Sequence, residues 1–186
     1  LLADVVKIKW WEKYYWQKAK RVVAVSEKDE ELMGKSVGKD KVRLVPNGVG
    51  EDLMMDVPIH YNKTILFVGN YAWLQNIEAA RILADKVFPK ILEKIPDAKL
   101  VIAGQNTEKI KELKNNNINL LDLEVDDIKG IQDVYRNSGI LVAPLYGPGG
   151  TRLKILAAMA AKLPVVTTKV GIAGIGEVGK DFLEGE

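Results

Sequence analysis

From Thr64 to Thr168 short apolar runs alternate with helical patterns, and this alternation limits the fold more than any other feature. The runs Thr64 to Val68, Lys99 to Ala103, Ile118 to Leu121, Ile140 to Ala143 and Pro164 to Thr168 read as strands. Between them, 77–95, 107–114, 128–137 and 151–162 read as helices, the first with Ala80, Leu83, Val87 and Ile91 on one face. Strands that are apolar on both faces and separated by helices belong to a parallel sheet covered on both sides, an α/β fold. The preceding segment is less regular. Val5, Ile8, Trp11, Tyr15 and Ala19 fall at helical spacing among lysines, and Val22 to Val25 reads as a buried strand. Ser26 is a plausible cap for a helix from Glu27 to Met33, and Lys41 to Val45 reads as a strand. The stretch 51–62 has neither period and reads as a connector.

Composition removes several classes of function. The chain of 186 residues is 47% hydrophobic and 28% charged, the profile of a globular protein with a sizeable core. A net charge of +2 is too small for a nucleic-acid binder that works mainly through phosphate contacts. No cysteine is present, which excludes disulfides and thiolate chemistry and fits a reducing cytoplasm. No apolar run reaches the ~20 residues that span a bilayer, no signal peptide is visible, and both ends read as truncations.

Ligands of an open parallel sheet bind where strands end. The most informative end is Pro144 to Lys154, a strand that enters the turn Gly147-Pro148-Gly149-Gly150 and opens a helix at Thr151. Gly149 and Gly150 let backbone approach a ligand, the first helical turn offers free N–H groups, and Arg152 and Lys154 add two charges. These parts describe an anion site suited to a diphosphate. An ordinary glycine turn followed by two solvated cations describes the same residues. A second end, Val68-Gly69-Asn70, has a glycine where a ligand would approach, without the further glycines of a dinucleotide fingerprint. A third segment, Gly171 to Gly179, contains a literal G-x-G-x-x-G, but stands in the wrong context and reads as a flexible loop.

The ordered set of motifs resembles glycosyltransferase family 4, the group 1 transferases of GT-B architecture. The motifs are Arg21 to Glu27, Val45-Pro46-Asn47-Gly48-Val49, Ile65 to Gly69, Asn76-Ile77-Glu78-Ala79, Ala98 to Gly104, Gly149 to Leu156, Ala158 to Ala161 and Leu163 to Val166. The resemblance implies a Rossmann-like donor-binding domain at 63–186. It also implies a hinge at 47–62 and the end of an acceptor domain at 1–46. The Gly149, Gly150 and Thr151 backbone would hold the donor diphosphate. Arg152 and Lys154 would act catalytically on the departing phosphate. Leu123, Glu124 and Val125 would meet the base, and Gly69 and Asn70 would face the phosphates or the sugar. The partner would be a nucleotide-sugar donor, with the acceptor unidentified, and transfer would need no metal and no cofactor. The helix at 5–20, with Trp10, Trp11, Tyr14, Tyr15 and Trp16 among lysines, suits either packing against the acceptor domain or peripheral contact with a membrane surface.

Three positions depart from the family. Asn70 replaces an arginine, Gln75 or Asn76 stands where a lysine is common, and Ala157 replaces the glutamate that grips the ribose. Loss of that charged hydrogen bond would weaken donor binding by about 1.5–3 kcal/mol. The carboxylates Asp122, Glu124, Asp126 and Asp127 read as a strand end and a helix cap, and His60 as a loop residue without a catalytic role.

Overall fold

The computed structural model describes residues 2–54, 62–147, 152–172 and 175–185. His60, Gly149, Gly150, Thr151 and Gly174 lie outside them. The chain divides into two compact units, Leu1–Asn47 and Gly48–Glu186.

In the first unit, helix α1 (Leu2–Lys18) is followed by strand β1 (Val22–Ala24), helix α2 (Glu27–Val37) and strand β2 (Val42–Leu44). The strands pair in parallel, with Val22 opposite Val42 and Ala24 opposite Leu44. Ser26 caps α2 as its sequence position requires, its Oγ accepting from the Asp29 N–H at 3.1 Å. Helix α2 runs one turn beyond the expected Met33 and stops at Gly38, whose φ of 90° ends the helical path. The aromatic side chains of α1 stack on one another, Trp10 on Tyr14 and Trp11 on Tyr15. Trp10, Trp11 and Tyr15 remain exposed. No helix among the described residues is long and apolar enough to cross a membrane.

The second unit is built on six strands: β3 (Thr64–Asn70), β4 (Lys99–Gln105), β5 (Ile118–Asp122), β6 (Ile140–Ala143), β7 (Val165–Thr167) and β8 (Leu183–Glu184). Every pairing is parallel, and the order is β5-β4-β3-β6-β7-β8. Counted from β3 this is the doubly wound order 3-2-1-4-5-6, which opens a crevice where the chain reverses its direction of winding. The expected α/β sheet is therefore present. Its core joins Leu66, Phe67, Leu100, Ile102 and Leu141 of the strands to Ala80, Leu83, Phe88, Tyr135 and Ile155 of the helices.

Several elements differ from their sequence expectations. The segment expected as a helix at 107–114 is a 3-10 helix, Thr107–Leu113, broken at Ile110, and the strand expected to be buried at 22–25 leaves Val23 and Val25 exposed. The helix expected at 77–95 begins earlier, as α3 (Leu74–Ile82), and continues through a π turn, Leu83–Val87, into α4 (Phe88–Lys94). Pro89 is the reason. It has no N–H to give to the preceding turn, so the helix widens just before it, and the Phe88 N–H reaches back five residues to the Leu83 carbonyl. Leu83 and Phe88 thereby both face the core. The helix expected at 151–162 is shorter, α6 (Leu153–Ala160), with Arg152 in the capping position. The described residues of Gly171 to Gly179, read as a loop, form no helix or strand, but Ile172 and Ile175 are buried. Beyond that segment Phe182 is buried, and β8 adds to the sheet edge with Leu183 opposite Val166.

Two glycines set the sheet's central crossing. Gly69 and Gly104 are register partners on β3 and β4. Gly104 has φ of 129°, and a Cβ on it would collide with the Gly69 carbonyl oxygen. Gly104→Ala therefore meets both strain and a backbone clash, and should destabilise the chain by about 2 kcal/mol or more in urea unfolding. An unchanged midpoint would contradict this account of the crossing.

Candidate functional site

The carboxyl ends of β3, β4 and β5 surround a cavity of about 350 Å³. Val68, Gly69 and Asn70 reach it from β3, Gly104 and Gln105 from β4, and the segment Leu123-Glu124-Val125 from the end of β5. Helix α5 (Ile128–Arg136) supplies Ile128, Ile131 and Tyr135, and α6 supplies Leu153, Lys154 and Ala157. Strand β3 is covered on both faces, with the consecutive residues Ile65, Leu66 and Phe67 buried, and its end is left for the cavity rim. Helix α5 is fixed at its start by Asp127, whose side chain accepts from the Gly130 N–H at 2.8 Å. Asp122 Oδ1 accepts from both the N–H and the hydroxyl of Thr107, each at 2.8 Å. These two carboxylates thus serve as strand end and helix cap. Among the described residues no group of three or more acidic or histidine side chains is placed to hold a metal ion.

A neutral amide network spans the strand ends. Asn70 Nδ2 donates to Gln105 Oε1 at 2.7 Å, and Asn106 Nδ2 donates to Asn70 Oδ1 at 2.9 Å. The same Asn70 oxygen accepts from the Ala72 N–H. Asn70, in the position of a family arginine, thus ties two loops together and adds no charge. Gly69 was expected to admit a ligand. Its missing Cβ also makes room for Asn76, whose Cγ would stand 3.1 Å from that atom. Asn76 and Asn106 were not legible as a network, because they meet only when the two strand ends come together. The signal available was a glycine followed by amides at the end of two neighbouring strands.

Lys154 is the electrostatic centre of the cavity. Its Nζ donates to Asn76 Oδ1 at 2.7 Å and lies 4.7 Å from the centre of the Phe67 ring. The Tyr135 hydroxyl donates to the Lys154 carbonyl at 3.2 Å. Burial removes water from the ammonium, and the Arg152 guanidinium adds like-charge repulsion, so its pKa falls to about 7. Arg152 is itself buried and stays charged, with burial lowering its pKa from the usual arginine value. It is not among the residues lining the cavity. Its Nη2 donates to the Gly147 carbonyl at 2.6 Å, and its Nε is buried without an acceptor among the described residues. Such an unsatisfied buried donor beside a second cation is the environment an anion completes.

Of the residues singled out from sequence, Gly69, Asn70, Leu123, Glu124, Val125 and Lys154 line one cavity. Arg152 precedes α6 by one residue, and Gly149, Gly150 and Thr151 are outside the described residues. Leu53, Ile128, Ile131 and Tyr135 form apolar wall that the motifs did not mark. A lysine whose pKa drops from 10.5 to about 7 on folding binds fewer protons folded than unfolded between those values. Stability should therefore rise with pH from about 7 to about 10, by roughly 2–4 kcal/mol, and Lys154→Met should abolish the rise. Chemical unfolding at a series of pH values checks this, and a slope that persists in the variant would contradict it.

Comparison with known proteins places this geometry. The family described as glycosyl transferases group 1 matches residues 62–184. A Klebsiella pneumoniae protein described as an uncharacterized 44.6 kDa protein in the cps region is 34% identical over 124 residues, 62% of this chain and 31% of its own. Among solved structures, Anabaena HepE in complex with UDP and glucose is similar at a TM-score of 0.65 and 18% identity, over 87% of this chain and 48% of its own. TarM, from S. aureus, is similar at 0.68 and 20%, over 93% and 36%. A glycosyltransferase from Rickettsia africae is similar at 0.60 and 20%, over 86% and 48%. At these identities the solved structures speak for the fold, which is that of GT-B glycosyltransferases. The chain spans about a third to a half of the length of these relatives. With the family's pattern running from just before β3 to β8, the chain belongs to the group 1 glycosyl transferases.

Proposed function

We propose that this chain is the donor-binding part of an enzyme that transfers a sugar from a nucleoside-diphosphate sugar to an acceptor. The observation that carries the reading is the pair of buried cations at the start of α6, Lys154 facing the cavity and Arg152 beside it with an unsatisfied donor. Two cations in water-poor surroundings hold a pyrophosphate more strongly than they would on a surface, because the local dielectric is low. The binding of UDP or UDP-glucose by HepE supports a donor of this type.

The difficult step is cleavage of the bond between the sugar's anomeric carbon and the phosphate oxygen. The electron pair leaves with the nucleoside diphosphate, and the acceptor hydroxyl bonds to the same carbon and gives its proton to the departing phosphate or to a general base. A lysine and an arginine fixed before the reaction stabilise charge as it grows on the leaving oxygen. On this reading transfer is metal-independent, retains anomeric configuration and uses no protein nucleophile. The base rests against Leu123-Glu124-Val125, largely through main chain. The acceptor and any general base belong to the acceptor domain, of which the unit at 1–47 is the end, and the 186-residue chain alone binds donor without transferring it.

A second reading, a nucleotide-binding module without turnover, rests on Ala157. This residue lines the cavity and is 4% exposed, and no side chain there can accept from a ribose hydroxyl. Ala157→Glu should tighten UDP binding by about tenfold if the ribose lies against this position. Unchanged affinity in calorimetry would move the ribose elsewhere.

Arg152→Ala should weaken UDP-glucose binding by at least about tenfold and uridine binding hardly at all. Equal losses for both ligands would refute the phosphate assignment. The sugar diphosphate itself does not titrate near neutrality, so pH acts through Lys154. Affinity should fall as pH rises through about 7, approaching tenfold per unit while the ammonium is lost. Flat affinity across that range would separate Lys154 from the phosphates.

A further inference from the structure

Asn76 stands third in α3, 8% exposed, and both ends of its carboxamide are engaged. Nδ2 donates to the Asn70 carbonyl at 2.8 Å, and this bond fixes which way the amide faces. Oδ1 is thereby turned to Lys154, whose Nζ donates to it at 2.7 Å. The carboxamide packs against Gly69, where a Cβ would stand 3.1 Å from its Cγ and 3.3 Å from its Nδ2 and crowd it. Among the described residues no carboxylate pairs with Lys154. Its charged and titratable neighbours are Arg152 before α6, Glu124 and Asp127 on the cavity rim, and Tyr135, whose hydroxyl is turned to the Lys154 carbonyl.

The chemistry of this arrangement is selective. A carboxylate at position 76 would hold the ammonium equally well but would cancel its charge, leaving little for a ligand. An apolar residue would leave the buried ammonium without an acceptor and free to swing. A neutral oxygen of fixed direction avoids both. We propose that Asn76 is the positioning residue of the donor site: it holds the Lys154 ammonium at the cavity while leaving its positive charge to the donor diphosphate. This rests on the reading of the cavity as a nucleoside-diphosphate site. It also couples the loop after β3 to the start of α6, so that one hydrogen bond sets the spacing between the two walls.

The test uses the 186-residue chain, Asn76→Ala and Asn76→Asp, with UDP-glucose and uridine as probes in calorimetry between about pH 6 and about pH 8. Lysine Cε chemical shifts follow the titration of Lys154 in parallel. Asn76→Ala should weaken UDP-glucose binding by about tenfold and leave uridine unchanged. Asn76→Asp should raise the Lys154 titration midpoint, weaken UDP-glucose at pH 6 and remove the pH dependence of its binding. Wild-type affinity and pH profile in both variants would overturn the proposal. So would an unmoved Lys154 midpoint in Asn76→Asp, or a loss of uridine binding in step with UDP-glucose, which marks a residue needed only for the fold. If the unaltered chain binds UDP-glucose no better than uridine, the donor-site reading itself fails, and this inference with it.

Discussion

A single buried ammonium governs this site. Lys154 is surrounded by Phe67, Tyr135 and the strand ends, and its hydrogen-bond partner among the described residues is the neutral oxygen of Asn76. Burying such a charge is costly, and proteins normally avoid it with a paired carboxylate or accept a lowered pKa. This chain takes the second course. The unfavourable energy is the reason the site suits an anion: a ligand that brings negative charge relieves both Lys154 and the unsatisfied Nε of Arg152. On the proposed reading, function here is bought with stability within one helical turn.

The rest of the second unit serves that placement. The doubly wound strand order brings the ends of β3 and β4 together, and the Gly69–Gly104 pair lets them approach without a side chain between them. The space that Gly69 leaves is filled by Asn76, which turns to Lys154 because Asn70 holds its amide nitrogen. The Tyr135 hydroxyl ties α5 to the backbone of α6, and Asp127 fixes where α5 begins. The cavity's walls and its charge are therefore set by the same few contacts. The loop after β3 and the start of α3 carry amides, Asn70 and Asn76. The positive charge near the cavity is concentrated at Arg152 and Lys154, and the loop contributes direction only.

Much of the fold was legible because β strands buried on both faces and amphipathic helices have different periods, and the two alternate cleanly after Thr64. Boundaries moved where local chemistry intervened. Pro89 widened its helix into a π turn, and Arg152 took a capping position that the apolar pattern of α6 could not reveal. The edge strand β8 was missed because two residues, both exposed, carry no periodicity. Lys154 was legible as a cation near a strand end, but its burial was not, because Phe67 and Asn76 lie 87 and 78 residues away in sequence and meet it only in the folded sheet. Gly69 was legible as a special position. That it accommodates a side chain of its own fold follows only from the folded arrangement of β3 and α3.

The most direct measurement is a crystal structure of this chain with UDP. The account predicts the pyrophosphate within hydrogen-bonding distance of Lys154 Nζ and the Arg152 guanidinium, and the uracil against Leu123-Glu124-Val125. UDP bound elsewhere, with Lys154 still joined to Asn76 alone, would contradict it.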